Sequence, residues 1–443
     1  MAFATPTNAA ASHSGGAPQR YTYYPTALAV LTTIFFMWGF LTCLNDILIP
    51  HLKASFQLSY AQVMLVQFTF FGTYFLMGMP AGWLVAKLGY KKGIVAGLAI
   101  AGLGALGFWP AAALHLYPPF LGALFVLASG ITILQVAANP YVALLGPEST
   151  SSSRLTLAQA LNSAGTTLAP YFGGVFILAN VVKSPAEVAA LPATEHLAYQ
   201  AQQAQAVQGP YIWLAIALFV LAIVVWLFRL PTLTETTSDG DHDKHGFIEV
   251  LRHPHLLFGV LGIFFYVGAE VSIGSFMVNY LSMPDIGHLT EQQAANYVSF
   301  YWGGAMFGRF IGSALMARIS PRKLLSTFAG INMLLVLTTM LSTGNVAMVS
   351  IIAIGLFNSI MFPTIFALAI ERLGSMTSKA SSLLIMAIVG GAIIPQIQGL
   401  VADQIGLQHA FFLPLLCYLY IAFYGLRGSR ICSLPATDTA TGV

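Results

Sequence analysis

From residue 27 onward, long apolar runs alternate with short polar connections. Predominantly apolar segments of about 20 residues or more fall at 27–50, 60–86, 93–113, 118–145, 154–180 and 210–230, then again at 255–281, 293–317, 323–341, 346–371, 378–400 and 406–426. A helix of that length crosses the hydrocarbon core of a bilayer, so the pattern predicts an all-α membrane protein with twelve transmembrane helices. The longest runs must tilt or protrude. Two polar intervals stand out from the short connections. KSPAEVAALPATEHLAYQAQQAQAVQG at 183–209 is expected to join spans five and six, and PTLTETTSDGDHDKHGFIEVLRHP at 231–254 divides the spans six and six. The expected organisation is a disordered tail at 1–26, a six-helix bundle at 27–230, a linker at 231–254, a second six-helix bundle at 255–426 and a tail at 427–443.

Composition removes the soluble alternative. Hydrophobic residues make up 57% of the chain and charged residues 7%, against about 25% charged in an ordinary soluble domain. A water-facing surface of this size needs far more ionised groups. The net charge of +3 is small and its carriers are scattered, which excludes nucleic acid as a partner and leaves lipid as the surrounding medium. Three cysteines, Cys43, Cys417 and Cys432, show no metal or redox spacing. The first 24 residues lack the basic region and cleavage site of a signal peptide. With both termini in the cytoplasm, 15 of the 18 Lys and Arg residues fall on the inner side, Lys53 and Lys183 outside, and Arg309 within a span. Cytoplasmic loops retain positive charge, so a multi-pass inner-membrane protein with both termini inside is expected.

The two halves echo each other. Lys87 stands four residues before Lys91 and Lys92, as Arg318 stands four before Arg322 and Lys323. Gln135 precedes Pro140 by five, as Asn358 precedes Pro363, and Gly165 with Pro170 recurs as Gly390 with Pro395. Duplicated bundles with a site between them are a transporter architecture.

Polar groups inside the spans carry the candidate chemistry, because a charge at mid-bilayer costs at least ~2.5–3.5 kcal/mol. Of fifteen acidic residues, two lie well within spans, Asp46 and Glu270. Asp46 precedes Pro50 and can take a proton, hold Na⁺ or accept sugar hydroxyls; a structural pairing with a neighbouring span is the plain alternative. Glu270 is flanked by Gly268 and Gly274; its alternative is a buried pair with Arg309. Gln135, Gln159, Asn162, Asn279 and Asn358 offer donors and acceptors together, as sugar hydroxyls require. Asn139 stands beside Pro140 and reads equally as a cap of a kinked helix. Aromatic candidates for an apolar wall are Phe68, Phe70, Phe71, Tyr74, Tyr266, Tyr301, Trp302 and Phe362, each more commonly a packing or lipid-facing group, with Trp302 in YWGG the preferred stacking face. Arg309 is a candidate gate, or a snorkelling cation. No GxxxxGK[ST], HExxH or GxSxG occurs, so a transporter driven by an ion gradient is expected rather than an enzyme or a pump, with no cofactor.

LNDILIPHLK (44–53), AANPYVALLGPES (137–149), LAQALNSAGTT (157–167), FFYVGAEVSIGSF (264–276), FYWGGAMFGRFIGS (300–313), FNSIMFPTIFALA (357–369) and MAIVGGAIIPQIQG (386–399) resemble the fucose:proton symporter family of the major facilitator superfamily, and more closely its bacterial glucose/galactose transporter branch. The resemblance covers about 27–427. It implies a major facilitator fold, two pseudo-symmetric six-helix bundles rocking about a central monosaccharide site, and a monomer. It implies ion coupling at Asp46, with Gln159 and Asn162 matching the family's span-five polar pair. Gln135 stands where the fucose branch has a glutamate, and Glu270 where that branch has a glutamine. Ala86 replaces the usual aspartate of loop 2–3. Since Gln135 cannot titrate, Asp46 alone is expected to couple in the first half, to Na⁺ by a narrow preference or to H⁺. The expected cargo is a hexose such as glucose or galactose. L-Fucose or N-acetylglucosamine symport is the alternative within the family, and a drug exporter or a non-transporting sugar sensor lies further off.

Overall fold

The computed structural model describes residues 25–56, 60–114, 117–176, 192–231 and 246–431. Most of the expected tails at 1–26 and 427–443, most of the 231–254 linker, and part of the segment between spans five and six lie outside the described residues; residues 25–26 and 427–428, assigned to the tails, belong to helices.

Among the described residues, twelve long helical stretches follow one another, two of them broken. In the first half these are α1 (Pro25–Phe56), α2 (Tyr60–Leu88), α3 (Tyr90–Leu114), α4 (Tyr117–Leu144), α5 (Ser151–Phe176) and α6 (Ala193–Leu227). In the second half they are α7 (Pro254–Leu281), α8 (Glu291–Met316), α9 (Pro321–Leu341), α10 (Gly344–Ala369), α11 (Gly374–Ile405) and α12 (Leu407–Gly428). Nine stretches of the described residues are both long and apolar enough to cross a membrane. Neither α5 nor α8 is among them. Each carries polar groups mid-helix, Gln159, Asn162 and Ser163 in α5 and Ser299, Arg309 and Ser313 in α8, and the two pack against each other. These two weakly apolar spans thus meet across the halves.

One expectation needs correction. The segment 193–209, read as a polar connection, is the first half of α6. It is built of Ala, Gln, Glu and Leu, which hold a helix well whatever the solvent. Hydropathy separated it from the apolar run; backbone propensity joins it. The long runs in α10 and α11 are broken, α10 at Ser359–Ile360 and α11 by a 3₁₀ turn at Ala387–Val389.

Close helix crossings recur at the repeat-matched glycines. A side chain at Gly165 in α5 would collide with the main-chain oxygen of Phe36 in α1, and one at Gly390 in α11 with that of Phe264 in α7. Lipid tails are as apolar as Leu, so helices in a membrane associate through such close contact rather than through water exclusion. At the end of α4, the buried Arg154 guanidinium donates to the carbonyls of Val142 (3.3 Å), Ala143 (2.6 Å) and Pro147 (2.8 Å). It satisfies acceptors that the helix terminus leaves open.

Contacts between the halves gather towards the end that carries Lys87, Lys91, Lys92, Arg318, Arg322 and Lys323. There Ser153 Oγ donates to Ser313 O at 2.8 Å, and Ser313 Oγ donates to Ser153 O at 2.9 Å. Ser381 Oγ donates to Val136 O at 3.0 Å, and Ser382 Oγ to Gly78 O. Exposed Arg372 and Glu148 lie 3.9 Å apart. Towards the opposite end the described residues show one weak bond between the halves, Thr167 Oγ1 to Met306 Sδ at 3.5 Å. The bundle is shut at its basic end.

Candidate functional site

Two tyrosine–amide pairs occupy matching places in the halves. Gln135 Nε2 on α4 donates to Tyr74 Oη on α2 at 2.8 Å, and Asn358 Nδ2 on α10 donates to Tyr301 Oη on α8 at 2.8 Å. All four side chains are buried. An amide has two N–H groups and two lone pairs on its oxygen, so one bond to tyrosine fixes its orientation and leaves capacity. Gln159 Nε2 reaches Asn139 Oδ1 at a long 3.4 Å, while Asn162 Nδ2 donates to Phe35 O on α1 at 2.9 Å. The i,i+3 pair therefore spreads from α4 to α1 rather than acting as one clamp.

Asn358 is more deeply embedded than the sequence suggested. Besides Tyr301, its Oδ1 accepts from Asn332 Nδ2 at 2.8 Å and from Tyr418 Oη at 2.7 Å. Fully enclosed, it organises α8, α9, α10 and α12 around one amide. Asn332 and Tyr418 were absent from the sequence-based candidates. The signal that would have found Asn332 is the one that found Asn358, an amide within an apolar run. Nothing in sequence marks a single tyrosine in α12.

Glu270 is half-buried on α7. Tyr266 Oη lies 2.7 Å from its Oε1 and 3.2 Å from Asn358 O, and Tyr301 Oη donates to Glu270 O at 3.3 Å. Trp302 is exposed over 43% of its surface and meets Tyr301 edge-on, with ring centroids 5.1 Å apart. Its ring lies over Gly274, one turn beyond Glu270. Asn279 is not part of this assembly. It is exposed, about 13 Å further along the α7 axis at 1.5 Å per residue.

Arg309 forms no ion pair with Glu270 among the described residues. Its Nε donates to Ser359 O at 3.2 Å and an Nη donates to Ser163 Oγ on α5. Pro363 explains the first bond, because it has no N–H to offer the carbonyl four residues earlier. Arg309 thus ties the break in α10 to the opposite half. Asp46 lies in α1, and its side chain falls outside the described residues. No group of three or more His, Cys, Asp or Glu side chains suited to a metal occurs among the described residues. Cys417 is a buried free thiol.

The profile of the Major Facilitator Superfamily matches residues 28–395. The chain belongs to the major facilitator superfamily. Its curated relatives within this superfamily include a glucose/galactose transporter of Brucella abortus, 53% identical over 97% of this chain and 100% of that protein. A putative glucose/galactose transporter of Helicobacter pylori is 47% identical over 91% and 97%. The L-fucose-proton symporter of Escherichia coli is 37% identical over 94% and 95%. A crystal structure of the E. coli fucose:proton symporter in the outward conformation superposes with a TM-score of 0.84 at 36% identity, covering 90% of this chain and 97% of that one. The superfamily fold and a multi-pass membrane setting follow.

Proposed function

We propose that this chain is a proton-coupled hexose importer of the bacterial inner membrane, with glucose or galactose as cargo. The observation that carries the reading is the matched pair of tyrosine–amide clusters, one per half, beside the joint between two duplicated bundles. Glucose/galactose transporters and L-fucose-proton symporters among the relatives support the cargo class and the proton.

The bundles at 27–230 and 255–426 are the moving bodies, joined by 231–254, and a monomer suffices. With the basic end in the cytoplasm, as retention of Lys and Arg requires, the structure faces outward. A hexose entering from outside meets Gln135, Gln159 and Asn162 from the first half. Trp302 and Glu270 face it from the second half. Amides can donate to one hydroxyl and accept from the next, and an indole face packs against the C–H surface of a sugar ring. Asn358 sets the positions of Tyr301 and Tyr418 rather than touching cargo. Asn279 guards the outer mouth at most. Asp46 takes the coupling proton on α1. Arg309 is the gate, since its bond to Ser163 must break before the basic end can open.

Reconstituted vesicles test this. An inward proton gradient should drive accumulation of labelled glucose or galactose above equilibrium, and Asp46→Asn should abolish the uphill phase. Accumulation that follows a Na⁺ gradient and ignores pH would move the ion assignment to sodium. Uphill uptake that survives Asp46→Asn would remove the coupling role.

A further inference from the structure

The hydrogen at Tyr266 Oη has two acceptors within reach, Glu270 Oε1 at 2.7 Å and Asn358 O at 3.2 Å. A hydroxyl has one proton to donate, so the protonation state of Glu270 decides where it goes. An ionised carboxylate takes it. A neutral carboxyl instead gives its own proton to Tyr266 Oη, and Tyr266 turns to Asn358 O. That carbonyl lies at the break in α10, next to Ser359 O, which Arg309 holds while it also grips Ser163 of the other half.

We propose that Glu270 is a second proton-linked group of the transport cycle, and that its protonation releases the inter-half latch formed by Arg309. The inference rests on the transporter reading above and assigns a proton-linked control to the second half. Tyr266 on its own helix and Tyr301 from α8 bond to Glu270, and Arg309 from α8 and Tyr418 from α12 are the further titratable or charged groups near enough to feel its charge. From α10 comes neutral Asn358, and from α11 the small and apolar Gly390 and Ile394 pack on α7. Arg309 is therefore the one cation in that set and Glu270 its one anion.

The direction follows from charge balance. While Glu270 is ionised, the Arg309 guanidinium has a counter-charge inside the bundle and keeps its bonds to Ser359 and Ser163. A proton arriving on Glu270 from the open side leaves the guanidinium uncompensated in a low-dielectric interior. Such a charge moves towards water, and a guanidinium that swings out gives up its bond to Ser163. The bond between halves is lost, and the cytoplasmic side is free to part. Proton entry from outside thus precedes opening to the inside.

Spin labels at Lys92→Cys and Lys323→Cys, exposed sites in the first turns of α3 and α9 at the basic end, read the opening directly once the native cysteines are replaced. Pulsed dipolar distances would be recorded from pH 5 to pH 9. In the parent, the long-distance population should rise at least threefold as pH falls. Glu270→Gln, a neutral mimic, should show the long-distance population at every pH, and Asp46→Asn should still titrate. Tyr266→Phe removes the carboxylate's donor and leaves both charges, so its midpoint should move to higher pH. A Glu270→Gln profile that titrates like the parent, or stays closed throughout, overturns the proposal. These distances need no sugar flux, so a parent that opens with pH but accumulates no hexose would refute the cargo assignment alone.

Discussion

Replacing Asn358 with alanine tests whether a single amide holds the second bundle together. The change removes three interhelical hydrogen bonds, of 2.8 Å to Tyr301, 2.8 Å from Asn332 and 2.7 Å from Tyr418. Hydrogen bonds between membrane helices are worth about 0.6 kcal/mol on average and about 1.7 kcal/mol at most. Three of them amount to about 2–5 kcal/mol. The upper part of that range is the better expectation, because all three partners are buried and a stranded polar group inside a bundle has no water to turn to. The missing amide also leaves a small cavity, which adds to the loss without depending on polarity. A double-mutant cycle separates the two. Asn358→Ala, Tyr418→Phe and the double variant would be unfolded reversibly by sodium dodecyl sulfate in mixed micelles. The coupling energy for the pair should be about 0.6–1.7 kcal/mol. If the two single changes add within about 0.3 kcal/mol, the limit expected of independent sites, the reasoning about a shared amide fails.

Further outcomes follow from packing and from the gate. Gly165→Val and Gly390→Val each push a side chain into a main-chain carbonyl of the opposing helix, so both should lower stability by about 1–3 kcal/mol through overpacking; equal stability of either variant to the parent, measured in the same micelle assay, would show that these crossings can relax. Gly82→Leu places bulk against Ser382 and Ser378 O of α11 at the shut end, and should raise maleimide labelling of a cysteine at Ser153 several-fold by parting the halves there; unchanged labelling would mean the closure does not depend on that contact.

Much of this arrangement was written in the chain itself. Runs of about 20 apolar residues leave no alternative to spanning helices, and the repeated Gly165/Pro170 and Gly390/Pro395 spacing marked the duplication, while only the structure shows close crossings at those glycines, on α1 and α7. The asymmetry of Lys and Arg marked one end of the bundle, and the shut contacts between halves gather at that end. Asp46 and Glu270 were conspicuous because charge in a bilayer is costly wherever it points. Hydropathy is a one-dimensional quantity, however, and it misread 193–209, where helix propensity carries α6 past the apolar run. Sequence also grouped the intramembrane amides as one class. Only packing separated Asn358, enclosed by three neighbours, from Asn279, exposed near the end of α7, although both are asparagines in apolar surroundings. The partners of Glu270 come from α7 itself, α8 and, through Asn358, α10. Their meeting depends on how helices cross and on the missing N–H of Pro363, which turns Ser359 O towards Arg309. Local pattern fixes which residues enter the membrane; the angles and breaks of the helices decide which of them can exchange a proton.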